Sequence, residues 1–208
     1  MNFLAIDTSG KYMTVIAYKD GQAHCVYTPD CTMRHSVLIM EKVDEALKKA
    51  GLALSECDFF ASVVGAGSFT GIRIGISAVK GFALAFGKPT LPVTSFEIVA
   101  YNEVDCAQKK LCLVDALHDS YYACGYEQGD CTLSPAYLAE EEVLRLNGEG
   151  YALYALEALP IEEKRPICIV DPVKGLLNAT CALAQKGAFG ELNALYIRKS
   201  SAEINAGR

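Results

Sequence analysis

Read as alternating hydrophobic and polar positions, the chain opens with apolar runs at Asn2 to Thr8, Tyr12 to Tyr18 and Gln22 to Thr28. Lys19-Asp20-Gly21 carries the Asp-Gly turn signal, so the three runs predict a β-meander that Pro29-Asp30 ends. From His35 to Ala50, Val43, Ala46, Leu47 and Ala50 recur at helical spacing, and Gly51 stops the helix. Its first turns differ: Val37, Leu38, Ile39 and Met40 are apolar in every direction around the axis, which predicts burial on more than one side. Phe59 to Val64 is then a buried strand, followed by Gly65-Ala66-Gly67-Ser68-Phe69-Thr70-Gly71-Ile72-Arg73-Ile74-Gly75 and a helix that Gly87-Lys88-Pro89 closes.

That helix has two faces. Ile72, Ile76, Val79, Ala83 and Phe86 form a large apolar face suited to a sheet. Gly71, Gly75, Ala78, Phe82 and Ala85 fall at steps of four, three, four and three and make a second face of mostly small residues. A helical Gly costs roughly 1 kcal/mol against Ala, a cost tolerated where another backbone approaches closely. Either a second helix of the same chain or another subunit covers this face.

Downstream, Thr90 to Thr94 reads as a short strand, and Ser95 as the N-cap of a helix from Phe96 to about Glu103, with Glu97 and Glu103 solvated. A polar stretch, Asp105 to Lys110, marks a boundary that divides the chain into lobes 1–107 and 108–208. The second lobe repeats the plan. Strands are expected at Leu111 to Asp115, Ser120 to Glu127 and Cys131 to Tyr137, with Gln128-Gly129-Asp130 turning between the last two. A helix with an acidic first turn runs from Ala139 to Leu146, strands follow at Tyr151 to Leu156 and Ile167 to Val170, and the last helix spans about Pro172 to Lys186. Asn193 to Lys199 is a final apolar segment, and Ser200 to Arg208 is expected to fray. Two β-meander-plus-helices halves fit a two-lobed α/β architecture with a cleft between them.

Composition narrows the function classes. A net charge of −6 argues against broad nucleic-acid binding by this chain alone, though not against service in a complex whose partner carries the basic surface. No apolar run reaches the ~20 residues of a membrane span, and no signal-peptide layout follows Met1, which gives a cytoplasmic expectation. The nine cysteines include no CxxC pair and read as small core residues in a reducing compartment. In Gly67-Ser68-Phe69-Thr70-Gly71 the glycines have the spacing of G-x-S-x-G, but Phe69 stands at the nucleophile position. No HExxH or P-loop motif occurs, and the three histidines, at 24, 35 and 118, have no local catalytic pattern. The glycine-rich turn can aim backbone N–H groups and a helix N-terminus at an anion. Asp7-Thr8-Ser9, Gly65, Gly67, Ser68, Thr70 and Arg73 are therefore candidate phosphate contacts. Asp7 equally serves as a plain turn cap.

The motifs Ala5-Ile6-Asp7-Thr8-Ser9, Arg34-His35-Ser36, Gly65 to Gly75, Lys80-Gly81 and Ala194-Leu195-Tyr196-Ile197-Arg198 resemble the TsaB (YeaZ) family along the whole chain, more weakly in its second half. The resemblance implies an actin-like, ribonuclease-H-like fold. It also implies a role in forming N6-threonylcarbamoyladenosine at position 37 of tRNAs that read codons starting with A. In that family the chain is the non-catalytic partner of the transferase TsaD, which works with the ATPase TsaE and uses threonylcarbamoyl-AMP. Alone, such a chain is expected as a homodimer, with no membrane contact and tRNA met only through the complex. TsaD-type relatives hold a metal on two histidines four residues apart; Ser95 and Val99 stand there in this chain, which implies no metal site. No cofactor is expected beyond weak ATP or ADP at the partner interface. The docking surface implied is Ser36, Val37 and Met40 on one helix with Gly71, Gly75, Ala78 and Phe82 on the other, a large residue at Gly75 being expected to block docking without unfolding the chain. Leu117 departs from the family, which usually has Arg after Val-Asp-Ala. A stand-alone nucleotide-binding or metalloprotease-like enzyme of the same fold is the alternative.

Overall fold

The computed structural model describes residues 1–103 and 108–197. The first sheet contains β1 (Phe3–Asp7), β2 (Met13–Lys19), β3 (Gln22–Thr28), β4 (Phe59–Gly65) and β5 (Thr90–Thr94), in the order β3-β2-β1-β4-β5. The second contains β6 (Lys110–Asp115), β7 (Ser120–Glu127), β8 (Asp130–Ala139), β9 (Ala152–Ala155) and β10 (Ile167–Ile169), in the order β10-β9-β6-β7-β8. The two sheets share one topology, an antiparallel meander with two further parallel strands beside its first strand. Even the hairpin turns correspond. Asp20 and Gly21 have φ of 49° and 87°, Gln128 and Gly129 have 53° and 89°, two positive values in each two-residue turn. This is the expected two-lobed actin-like fold.

Helices alternate with the sheets in five layers. α1 (His35–Ala50) and α2 (Phe69–Phe86) cover the outer face of the first sheet. α3 (Ser95–Ala100) and α5 (Pro172–Gln185) lie between the sheets, and α4 (Glu140–Gly148) covers the far face of the second. The side-chain period of β1 accounts for the layering: Leu4 and Ile6 pack under α1 and α2, while Phe3 and Ala5 point to α3 and α5. Both faces of the strand are buried, which is why it reads as a continuous apolar run. Helix ends follow their glycines, with Gly51 and Gly87 in the left-handed region at φ 56° and 62°.

Two expectations are corrected. Thr94, not Ser95, caps α3, and Glu97 is not solvated: it is half-buried and closes a capping box by accepting from Thr94 N at 2.7 Å and Thr94 Oγ1 at 2.9 Å. The helix itself ends at Ala100, followed by a 3₁₀ turn over Tyr101–Glu103. Residues 104–107, with Cys106 and the proposed lobe boundary, and 198–208, with the tail expected to fray, lie outside the described residues. The segment 193–197 is no regular strand, yet Leu195 N donates to Val64 O at 2.7 Å and Leu192 is buried under α2.

By length and composition α2 could cross a bilayer, with 18 residues and mean hydropathy 1.3, but Gly71, Ile72, Gly75, Ile76 and Val79 are buried on the first sheet. It is an element of the domain. The seam between the lobes depends on Gly175, where α5 comes against α3 so closely that a Cβ would collide with the Ile98 carbonyl oxygen and Asn102 Nδ2. Asn102 ties the two segments by donating to Ile98 O at 3.2 Å and Asp171 O at 2.7 Å. Ala in place of a helical Gly ordinarily gains roughly 1 kcal/mol. At this seam overpacking outweighs that gain, so Gly175→Ala is expected to lower stability by about 1–3 kcal/mol in urea unfolding. A raised midpoint would contradict the seam.

Candidate functional site: an interlobe cleft and an outer helical face

The polar end of β1 lies at the bottom of a cleft between the lobes. Asp7 is fully buried and accepts hydrogen bonds from Ser9 N at 2.8 Å, Ser9 Oγ at 2.7 Å and Tyr12 Oη at 2.9 Å. Burial raises its carboxyl above the ordinary range, opposed by the Ser9 and Tyr12 hydrogen bonds. Burial and the neighbouring Asp7 push the Tyr12 phenol well up in turn. His35 Nε2 lies 2.9 Å from Tyr12 O and pins the start of α1 to this turn.

The glycine-rich loop closes over the same turn. Ser68 N donates to Ser9 O at 2.7 Å, and a Cβ on Gly67 would stand 2.5 Å from that oxygen. Thr8 Oγ1 donates to Gly71 O at 2.7 Å; a Cβ on Gly71 would collide with Thr8 O, and one on Gly75 would lie 2.6 Å from Thr8 Oγ1. The structure thus places Gly71 and Gly75, expected on the docking face, against Thr8 of the same chain. Both are buried, and their small size admits β1 of the same chain. Ala78 and Phe82 are half-buried at the edge of the core beneath α2, whereas Ser36, Val37 and Met40 are exposed.

The cleft has a volume of about 610 Å³ and is lined from the first lobe by Ser9, Lys11, Tyr12, Gly67, Ser68 and Thr70 and from the second by Val114, Asp115, Leu117 and Tyr122. Of the candidate phosphate contacts, Ser9, Gly67, Ser68 and Thr70 line the cleft and four others do not. Asp7 and Thr8 are spent on internal bonds, Gly65 is buried beneath Leu195, and Arg73 does not line the cleft. Ser68 caps α2 by accepting from Gly71 N at 3.2 Å. Ser95 Oγ donates to Ala66 O at 2.6 Å, and Val99 is buried in the core. Glu157 of the second lobe accepts from Lys11 N at 3.0 Å across the cleft mouth. Leu117 is exposed in a turn where residues 117 to 119 have φ of 63°, 54° and 52°.

The second notable surface is the outer side of α1 and α2. Met33, Val37 and Met40 expose 91%, 76% and 55% of their surface, and Leu84 exposes 88%. Between the helices runs a groove lined by Ser36, Ile39, Phe69, Thr70, Arg73, Ile74 and Ser77. Arg73 lies over the Phe69 ring, 3.7 Å from its centroid, and its Nε donates to Tyr196 Oη at 3.0 Å.

The family model for tRNA N6-adenosine threonylcarbamoyltransferase, TsaD, matches residues 26–198. The chain belongs to the TsaD family, in its TsaB (YeaZ) branch. The tRNA threonylcarbamoyladenosine biosynthesis protein TsaB of Escherichia coli is 29% identical over 72% of this chain and 69% of its own length. The TsaB of Haemophilus influenzae is 30% identical over 59% of the chain and 52% of its own length, so the match spans about half of that relative. Among solved structures, YeaZ from Pseudomonas aeruginosa superposes with a TM-score of 0.77 at 27% identity, over 94% of this chain and 99% of its own. A P. aeruginosa protein described as similar to peptidase YEAZ gives 0.79 at 27% identity, over 95% and 99%.

Three residues of the site carry no sequence signal of their role: Glu157 and Tyr196, whose partners Lys11 and Arg73 are distant in the chain, and Tyr12, whose phenol meets Asp7 five residues away only once the turn has folded back. Two outcomes test this description of the TsaB-like site. Gly75→Leu is expected to yield little folded protein by circular dichroism, because Leu cannot fit beside Thr8. Since the fold holds the Asp7 proton more tightly than the unfolded chain does, this carboxyl contributes stability that is full below the unfolded carboxylate range. That stability is lost as pH rises through the raised folded value. Asp7→Asn should flatten that part of the pH–stability curve measured by thermal unfolding.

Proposed function

We propose that this chain acts in the biosynthesis of tRNA threonylcarbamoyladenosine as a scaffold subunit without chemistry of its own, docking on the transferase TsaD through the outer face of α1 and α2. One observation carries the reading: α2 leaves the large apolar side chains of Phe69, Leu84 and Phe86 exposed to water. Beside it Val37 and Met40 of α1 are exposed. Leaving that much apolar surface in water is costly, and contiguous apolar surface marks an interaction face. The names of the relatives, which are tRNA threonylcarbamoyladenosine biosynthesis proteins, support the pathway.

In this reading the docked chain holds TsaD in its competent arrangement, a population shift rather than a contribution of reacting groups. TsaE joins the same assembly, tRNA is reached through it, and the free chain pairs with a second copy through the same face. The setting is the cytoplasm. The proposal includes no resident metal or cofactor. The cleft supports at most weak ATP or ADP binding, because the polar groups of Asp7, Thr8 and Ser9 are taken up within the chain.

The test is a reconstitution of TsaD, TsaE, the threonylcarbamoyl-AMP synthase and unmodified tRNA, with modified adenosine read by mass spectrometry. Product is expected only when this chain is added. Val37→Asp, at an exposed position, should leave the fold intact and weaken binding to TsaD by about tenfold or more. Product formed at the same rate without the chain would refute the proposal.

A further inference from the structure

The most specifically built residue on the outer face is Arg73. Its guanidinium carbon lies 3.7 Å from the centroid of Phe69 and 5.8 Å from that of Tyr196, the rings themselves being 5.4 Å apart. Nε donates to Tyr196 Oη, which leaves the terminal N–H groups of the fork unspent. Among the described residues no carboxylate pairs with Arg73. An arginine held over one ring and tied through Nε to the hydroxyl of a second loses little further freedom on binding, and its fork fits a carboxylate bidentately.

The surroundings select the kind of anion. Arg73 borders the groove between α1 and α2 with Ser36, Ile39, Thr70 and Ile74, next to the exposed Val37 and Met40. The acids of α1 are already neutralised: Glu41 pairs with Lys42, Asp44 with Lys48, and Glu45 with Lys42 and Lys49. Among the described residues, the exposed cations of α1, α2 and the turn before α1 that have no carboxylate partner are Arg34, Arg73 and Lys80. An apolar face rimmed by unspent cations, on a chain of net charge −6, fits a protein partner that is apolar with acidic side chains at its edge. A second copy meeting this face brings the same cations and, from α1, only acids that are already paired, so it offers Arg73 no free carboxylate of that helix.

We propose that Arg73 anchors the docking partner by receiving an Asp or Glu side chain of that partner in a bidentate pair, with Phe69 and Tyr196 as positioning residues. The proposal rests on the docking reading above and names the partner chemistry that reading leaves open.

Calorimetric titration of the full chain with purified TsaD at low and high salt tests it. Arg73→Gln is expected to keep the melting temperature, weaken binding by about tenfold or more and flatten its salt dependence. Arg73→Lys should restore only part of the affinity, since an ammonium has no fork. Tyr196→Phe, which keeps the ring and removes the acceptor, should fall between wild type and Arg73→Gln. Binding by Arg73→Gln within about twofold of wild type, while Val37→Asp abolishes it, would overturn the anchor and leave docking intact. No loss with either variant would overturn the docking reading itself. A loss confined to tRNA binding would assign the fork to phosphate, and one confined to self-association would assign it to a second copy; either overturns the proposal.

Discussion

The close approach of α2 to β1 is the constraint on which the rest of the first lobe depends. It is made by Gly71 and Gly75 lying against Thr8, whose hydroxyl donates to Gly71 O. Two glycines in one helix cost roughly 2 kcal/mol of intrinsic propensity. What they gain is backbone proximity, which holds the glycine-rich loop against Ser9 and sets the floor of the cleft. It also presses α2 onto the sheet along Ile72, Ile76 and Val79 and so turns Arg73, Ser77 and Leu84 outward.

The floor of the cleft is therefore saturated from within. Asp7, Ser9, Tyr12, Ser95 and the Ala66 carbonyl satisfy one another, as buried polar groups must. A turn that could receive an anion is closed by its own chain, and Glu157 of the second lobe takes up Lys11 N at the mouth. The surplus that remains is apolar and on the outside. Polar groups are satisfied inward while exposed apolar side chains, Val37 and Met40 among them, face outward.

The seam between the lobes obeys the same rule of close approach. Gly175 lets α5 reach α3, and the central core draws Phe3 and Phe59 of the first sheet together with Cys112 and Tyr154 of the second. The lobes are two in topology and one in packing.

Much of this architecture was legible along the chain, because its signals are local. The Asp20-Gly21 turn, the stops at Gly51 and Gly87, the double burial of β1 and the repeated strand plan follow from residue type and period alone. The family motifs added the fold. What periodicity could not decide is direction. Gly71 and Gly75 share a helical face with Ala78 and Phe82, and a period of 3.6 says that the face is small, not whether a strand of the same chain or another protein lies on it. Glu97, by contrast, was legible, since Thr94-Ser95-Phe96-Glu97 has the local capping-box spacing, and taking Ser95 as the cap hid it. Arg73 looked like a phosphate ligand because it follows a glycine-rich turn, and it became part of an aromatic stack only when Tyr196, 123 residues away in sequence, was folded against it. The sequence by itself determined the elements and their order, since each is set by neighbours within a few residues. Only the tertiary structure decided which side chains are spent inside the chain and which remain to meet a partner, because burial and pairing belong to contacts between distant segments.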